Sequence, residues 1–472
     1  MFGESIFVHT GASCEATPPV RLTYEAAEGS TKRKMPAVSH RSEDAVLDPS
    51  RRSRLLSNAR DLARNFSIAA WMVRRHLDYV ATFDFHMRTE DEGLNSAIED
   101  LVWEWQRPHN CDAAGRHGLD RMLRITEGRA VLDGDCGLMK IANGTLQGIE
   151  GDRVRTPEKA TGQWVHGVKV NNVGRALAYG IHRRGGTGGF EFEKIVPASN
   201  LCMHGYFDRF DQVRGISPMA SALNPLRDAY ENVGYALAKS KVAQLFALAF
   251  YRDANEAAGD VTTLDGEEQP SVRGRYQIDF GRGPVLLDME PGDRAEFLEN
   301  KTPSTEFQAF MLEVLSLAMK ALDIPYSFYN EAHTNFFGSR AAWLHYQRSC
   351  KPKRDALIDL LNRLTTWRLM LWILDGQIKL PRTMTMRDLW WEWVPMGMPW
   401  WDPSKEINGD KEAIGAGLDN PQRIVKERGR GDFYDNLRQI AKAKKAAADL
   451  GIELNWMPTP QVVEVVAADE VK

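Results

Sequence analysis

Asp133 and Asp135, separated only by Gly134, are the carboxylates whose spacing could hold a divalent cation, with Asp152 as a third ligand. Such a group would activate water for metal-dependent hydrolysis, as in a nuclease. An Asp-Gly-Asp run also forms a turn where a helix ends, which is the commoner reason for it. None of the 11 His stands in H-E-x-x-H or another ligand spacing, and no G-x-S-x-G elbow presents a serine nucleophile. A phosphate-cradling loop needs Gly-Lys after its glycines, and the chain has no such dipeptide, which excludes a P-loop packaging ATPase. The glycine-rich segment Gly185-Gly186-Thr187-Gly188-Gly189 has strand patterns on both sides, so it reads as a hairpin connection. The five cysteines, Cys14, Cys111, Cys136, Cys202 and Cys350, are scattered and form no C-x-x-C pair. That argues against a disulfide framework or zinc site and fits a reducing compartment. The chain is read as non-enzymatic, with no metal and no cofactor.

With 472 residues, 43% apolar and 26% charged, the chain has the balance of a soluble protein of several domains. Lys and Arg total 60 against 64 Asp and Glu, a net charge of −4. Proteins that grip DNA tightly carry a basic excess. This balance argues against a tight DNA grip and is compatible with DNA sliding past weak contacts. The longest near-apolar run, Val242 to Tyr251, is half the roughly 20 residues of a membrane helix and contains Gln244. The first residues lack a basic segment followed by an apolar one, so no signal peptide is expected.

The elements that must position these groups follow from periodicity. Residues 1–50, with Gly, Ser, Thr and Pro clusters, read as a flexible arm. Residues 51–80 read as one helix; its seven Arg from Arg51 to Arg75, against the single acid Asp61, form either a basic face toward nucleic acid or a partner, or a solvated face. Helices are expected over 94–107, with Trp103 and Trp105 before the break at Pro108, and over 119–132, followed by a strand around 138–142. From Gly162 to Pro197 the pattern alternates as in a small antiparallel sheet. A long helix over 219–250 has Pro225 near its start. An acidic insert, 251–303, with 12 acids to 6 basic residues, separates it from a helix over 306–322. A loop at 329–338 leads into a long helix, 339–375, that Pro352 should kink and Gly376 should stop. Trp390, Trp391, Trp393, Trp400 and Trp401 read as a packed corner. Asp402-Pro403 and Asn420-Pro421 read as helix starts, and a last helix covers 432–451. The fold class is α+β, mainly helical.

Several landmarks occur in order. They are Arg54-Leu55-Leu56-Ser57-Asn58-Ala59-Arg60, Trp103-Glu104-Trp105, Leu132-Asp133-Gly134-Asp135, Ile149-Glu150-Gly151-Asp152-Arg153-Val154 and His204 through Arg214-Gly215-Ile216-Ser217-Pro218. Glu290-Pro291-Gly292, Leu322-Asp323-Ile324-Pro325-Tyr326, Asn335 to Arg340 and Trp401-Asp402-Pro403-Ser404-Lys405-Glu406 follow. In this order and spacing the sequence resembles the portal proteins of lambda-type tailed phages over roughly residues 50–430. It departs from the family's usual small-polar run at Asn335-Phe336-Phe337-Gly338 and matches only loosely after Asp432.

The resemblance implies a portal fold that assembles, usually as a dodecamer, into a ring at one capsid vertex. It implies a wing over 51–218, stem helices over 219–250 and 304–328, a clip over 251–303, a tunnel loop with the wing's kinked helix over 329–400, and a crown with tail over 401–472. It implies double-stranded DNA in transit, with the terminase large subunit, capsid protein and head-completion or adaptor proteins as partners and no membrane. The location implied is the virion, after assembly in the host cytoplasm. Asn330, Glu331, His333 and Asn335 are then candidates for the DNA-facing tunnel loop, and Arg227, Lys239 and Lys241 for the stem lumen. Two rival readings are a DNA-binding scaffold without a pore and a nuclease built on Asp133, Asp135 and Asp152.

Overall fold

A computed structural model describes residues 40–186, 188–245, 248–252, 293–297, 305–330, 336–395, 397 and 403–452. Residues 1–39 of the expected arm lie outside that set. Residues 43–46 of the expected arm are structured instead: Asp44 is buried and accepts a hydrogen bond from the Val213 amide at 2.7 Å. Ser42 caps the short helix α1 (Glu43–Val46), and Asp48, followed by Pro49 at the first helical position, starts α2 (Pro49–Asn65).

The single helix expected over 51–80 is two. The backbone turns extended at Phe66 (φ −111°, ψ 109°), whose ring is buried 5.5 Å from that of Tyr230, and α3 (Ser67–Val80) follows. Burial of one aromatic side chain thus overrides a continuous helical pattern. Strand β1 (Phe83–Met87) comes next and was not expected. Then come α4 (Glu92–Trp105), α5 (Pro108–Cys111) and α6 (Leu119–Asp133). Trp105 is buried and donates its Nε1–H to the Gly144 carbonyl at 3.0 Å, whereas Trp103 is exposed.

Helix α6 ends at Gly134, whose φ of 95° only glycine adopts without strain, and β2 (Asp135–Lys140) starts at the next residue. The strand expected at 138–142 therefore begins three residues earlier. β2 lies between β3 (Leu146–Glu150) and β8 (Leu201–Gly205), antiparallel to both. Gly134 and Gly215 stack backbone on backbone. A Cβ on Gly134 would lie 2.4 Å from the Gly215 oxygen, and one on Gly215 would lie 2.2 Å from the Gly134 oxygen. Gly134→Ala is therefore expected to cost about 2 kcal/mol, measured as a fall in the urea midpoint at unchanged slope.

The small antiparallel sheet is as expected: β4 (Trp164–Val165), β5 (Val168–Val170), β6 (Ala176–Arg184) and β7 (Phe190–Pro197), in that order. It closes a satellite core around Ile149, Val168, Tyr179 and Ile181.

The first long helix is shorter than expected. Pro218–Ser221 is a single 3₁₀ turn, and α7 runs Leu223–Leu245, with Pro225 in the first turn, where no amide is needed. Residues 248–252 form β9 (Leu248–Arg252), paired antiparallel with β10 (Asp293–Phe297), so the apolar run 248–251 is strand. The insert's two ends thus form a ribbon, while 253–292 lie outside the described residues.

The helix expected over 306–322 is α8 (Thr305–Met319), then a 3₁₀ turn (Lys320–Leu322) and Asp323 in the left-handed region (φ 61°). Helix α9 (Phe336–Leu374) begins inside the expected loop and is helical through Pro352, which leaves the Arg348 carbonyl without its helical amide. It ends at Gly376 (φ 72°), as expected. β11 (Trp391–Pro395) pairs with β1, Phe85 opposite Trp393. The expected packed corner is therefore partial: Trp393 is buried but Trp390 is 71% exposed, and Trp400 and Trp401 lie outside the described residues. Helices α10 (Pro403–Gly415), α11 (Pro421–Glu427, capped by Asn420) and α12 (Phe433–Asp449, capped by Asp432) follow. The main core joins α2, α3, α4, α6, α8 and α9.

Candidate functional site

Three of the sequence landmarks converge where the sheet meets the start of α7. Arg214, 1% exposed, uses all five of its N–H donors. Its Nε and Nη2 donate to Asp135 Oδ2 and Oδ1, both at 2.7 Å. Its remaining donors go to the carbonyls of Val154 (3.0 Å), His166 (2.6 Å) and Gly151 (2.7 Å). Asp135 also accepts from Arg52 Nη2 at 3.1 Å and from the Gly215 amide at 2.8 Å. Burial alone would push the Asp135 carboxyl up, but Arg214 and Arg52 together hold it below the usual carboxylate range. Ser217 closes the junction by donating its Oγ–H to the Val131 carbonyl at 2.6 Å and capping the turn that leads into α7.

Alongside, Arg60 on α2 grips Asp133 bidentately, Nε at 2.8 Å and Nη2 at 2.5 Å, and reaches Asp152 and Glu150 at 3.0 Å each. Arg184 on β6 bridges the same Glu150 and Asp152. The basic face is therefore not fully solvated: Arg52 and Arg60 point into the protein and neutralise the acids, while Arg51, Arg54, Arg64 and Arg74 stay exposed. This also corrects the metal reading of Asp133, Asp135 and Asp152. Their oxygens face guanidinium groups that already supply the charge a cation would bring. Among the described residues no cluster of three His, Cys, Asp or Glu side chains is placed to hold a metal ion.

A second buried network lies one turn back along α6. Glu127 accepts from His76 Nε2 and His204 Nε2, each at 2.6 Å, and from the Tyr206 hydroxyl at 2.5 Å. It ties α3, α6 and β8 together. Cys111 and Cys136 are buried free thiols; burial raises Cys111 to about 12 and Cys136 well above its ordinary value, so neither is a thiolate nucleophile at neutral pH.

Helices α7 and α8 pack on each other and lead to the β9–β10 ribbon. Beyond that mutual contact, Tyr235 and Leu237 on α7 and Phe310 and Leu317 on α8 remain more than half exposed. Of the expected stem-lumen residues, Lys239 and Lys241 are exposed on α7. Arg227 instead forms an ion pair with Asp61 of α2 at 2.9 Å, because the start of α7 packs on α2. Of the tunnel-loop residues, Asn330 donates to the Tyr326 hydroxyl at 3.1 Å, whereas Glu331, His333 and Asn335 lie outside the described residues. Among the described residues no helix is long and apolar enough to cross a membrane.

The family profile described as "Phage portal protein, lambda family" matches residues 30–354, more than half of the chain. This chain belongs to that family. The "Probable portal protein" of Halomonas phage phiHAP-1 is 25% identical over 394 residues, covering 77% of this chain and 72% of the relative. Among solved structures, the neck of an empty gene transfer agent particle, computed with C6 symmetry, is 14% identical, with a TM-score of 0.47, covering 78% of this chain and 92% of that one. A chain of the native gene transfer agent virion is 15% identical, with a TM-score of 0.43, covering 77% and 91%. The assignment rests on the family match, and the function that comes with it is a portal for phage DNA.

In this portal protein the landmarks Asp133-Gly134-Asp135, Ile149 to Val154 and Arg214 to Pro218 are one structural joint read in three pieces. In the sequence Arg214 stands out only as part of a motif. The signal for its role was the Arg-Gly pair itself: a lone arginine beside a glycine, with acidic motifs elsewhere that needed a cation. The Glu127 network carried no sequence signal.

Proposed function

We propose that this portal protein closes into a ring of about a dozen copies around a channel for double-stranded DNA. The observation that carries the reading is the stem. Its two packed helices leave large apolar side chains uncovered on both members, and a second copy is what would cover them. The charge balance fits a channel past which DNA slides, because a duplex with one charge per about 1.7 Å would stick to a strongly basic lining. Lys239 and Lys241 on α7, and the loop carrying Asn330, Glu331, His333 and Asn335, are proposed to face that duplex. The acidic insert between α7 and α8 is proposed as the clip that docks the terminase large subunit during packaging and head-completion proteins afterwards. Residues from 401 onward are proposed as the crown, and the capsid vertex as the site of assembly.

Mass photometry of the purified chain tests the ring. A species near twelve times 53.2 kDa, with a central hole in negative stain, is expected. A monomer across salt and protein concentrations would overturn closure by the chain alone and favour a scaffold role.

A further inference from the structure

Two surface features fit one another, and neither is used within a single chain. The first is the turn after β8. Phe210 at its tip is fully exposed, and Phe207 is 46% exposed beside it. The turn is held rigidly from behind. Gln212 accepts from the Asp208 amide at 2.9 Å and donates to the carbonyls of Tyr206 (3.2 Å) and Arg214 (2.8 Å). Arg209 is tied to Glu43 at 3.1 Å and to Asp211 at 3.4 Å. Among the described residues the Asp208 carboxylate forms no ion pair. A Phe held out on a turn with this many restraints loses little entropy on binding, which is how a preformed anchor gains affinity.

The second feature is a cleft of about 410 Å³ between the 112–118 loop, α6 and the β2–β3 hairpin, within the size range of clefts that take up ligand groups. Met122, Ile125, Leu138 and Ile149 give it apolar walls, and Gly148 leaves an open floor where a side chain would meet nothing. Its two acids are already committed. Asp112 accepts from the amides of Ala114, Arg116 and His117, and Glu150 accepts from Arg60 and Arg184. Among the described residues the guanidinium groups of Arg116 and Arg129, by contrast, form no hydrogen bond or ion pair, although the charge of Arg129 is felt by Asp133. The cleft therefore offers an apolar interior and an arginine, Arg116, without an ion pair among the described residues, with Arg129 beside it, the complement of an aromatic tip flanked by an aspartate.

We infer that Phe210 of one copy inserts into this cleft of the adjacent copy, with Asp208 meeting Arg116 and Arg129. The turn follows β8 and the cleft is built on β3, the two opposite edges of the sheet in which β2 is central. Tip and cleft thus lie on different surfaces, as a head-to-tail contact that propagates around a ring requires. This inference rests on the ring reading above and adds the contact that neighbours make outside the stem.

The test compares ring formation by the full chain and three variants in mass photometry at fixed concentration. Phe210→Ser, at a fully exposed position, and Arg129→Glu are each expected to weaken association about tenfold. Asp208→Arg combined with Arg129→Glu is expected to recover most of it, because the charges are exchanged. Thermal unfolding unchanged by Phe210→Ser confirms that the monomer fold is intact. A photo-crosslinking phenylalanine analogue at position 210 should join to peptides from 112–129 of another copy. Rings formed equally well by all variants, or crosslinks that map elsewhere, would overturn the docking contact and leave the ring standing. A wild-type chain that never leaves the monomer would overturn both.

Discussion

Arg214→Ala is expected to cost about 3–5 kcal/mol, enough to remove most of the soluble folded chain. The substitution leaves Asp135 buried beside Arg52 and the Gly215 amide alone, and strips a donor from the carbonyls of Gly151, Val154 and His166. Each orphaned buried acceptor adds its own desolvation penalty. Arg214→Lys should recover little of the loss. An ammonium is a point charge with three donors and cannot serve a two-pronged carboxylate and three carbonyls in one plane. Soluble yield and the urea midpoint at neutral pH measure both variants. An Arg214→Ala chain within 1 kcal/mol of wild type would show that the joint contributes little.

Glu127→Gln should cost about 3 kcal/mol at pH 7, because it removes the charge that His204, His76 and Tyr206 converge on. The pH dependence follows from the direction of the shift. Burial alone would raise the Glu127 carboxyl, but the hydrogen bonds from His204 and His76 outweigh it and hold the folded value far below the ordinary 4.5. A carboxylate depressed by folding stabilises the folded state above its unfolded value, and that contribution is lost as pH falls below it. The stability gap between wild type and Glu127→Gln should therefore be full at pH 7 and shrink below about pH 4.5. Urea midpoints of both chains at pH 7, 5 and 4 measure it. A gap that stays constant across this range would mean that Glu127 is not held as the anion.

What the sequence shows and hides here follows from range. The caps at Asn420 and Asp432, the small sheet over 164–197 and the stop at Gly376 are local, and periodicity and turn chemistry reveal them. The break at Phe66 is not local: it depends on Tyr230, more than 160 positions away, which takes up the ring. Strand β1 is five residues long and has no partner until β11, some 300 residues on, so no nearby alternation marks the pair. The direction of the arginines on α2 was likewise hidden, because a count of like charges says nothing about which acids other segments bring to meet them. For the candidate site the legible part was the order of the motifs. The illegible part was that three of them touch.

Arg214 also matters as a mechanical part. Helix α7, proposed above as a stem helix, starts nine residues beyond it, and its guanidinium is clamped to the first residue of β2, to the turn after β3 and to the segments at Val154 and His166. A push or twist applied along α7 therefore reaches the sheet through a short, fully braced strut, with little slack to absorb it. If DNA in transit strains α7, that strain is carried into the sheet of the same subunit. Damage to a residue buried in the fold would then be felt as a portal that packages poorly.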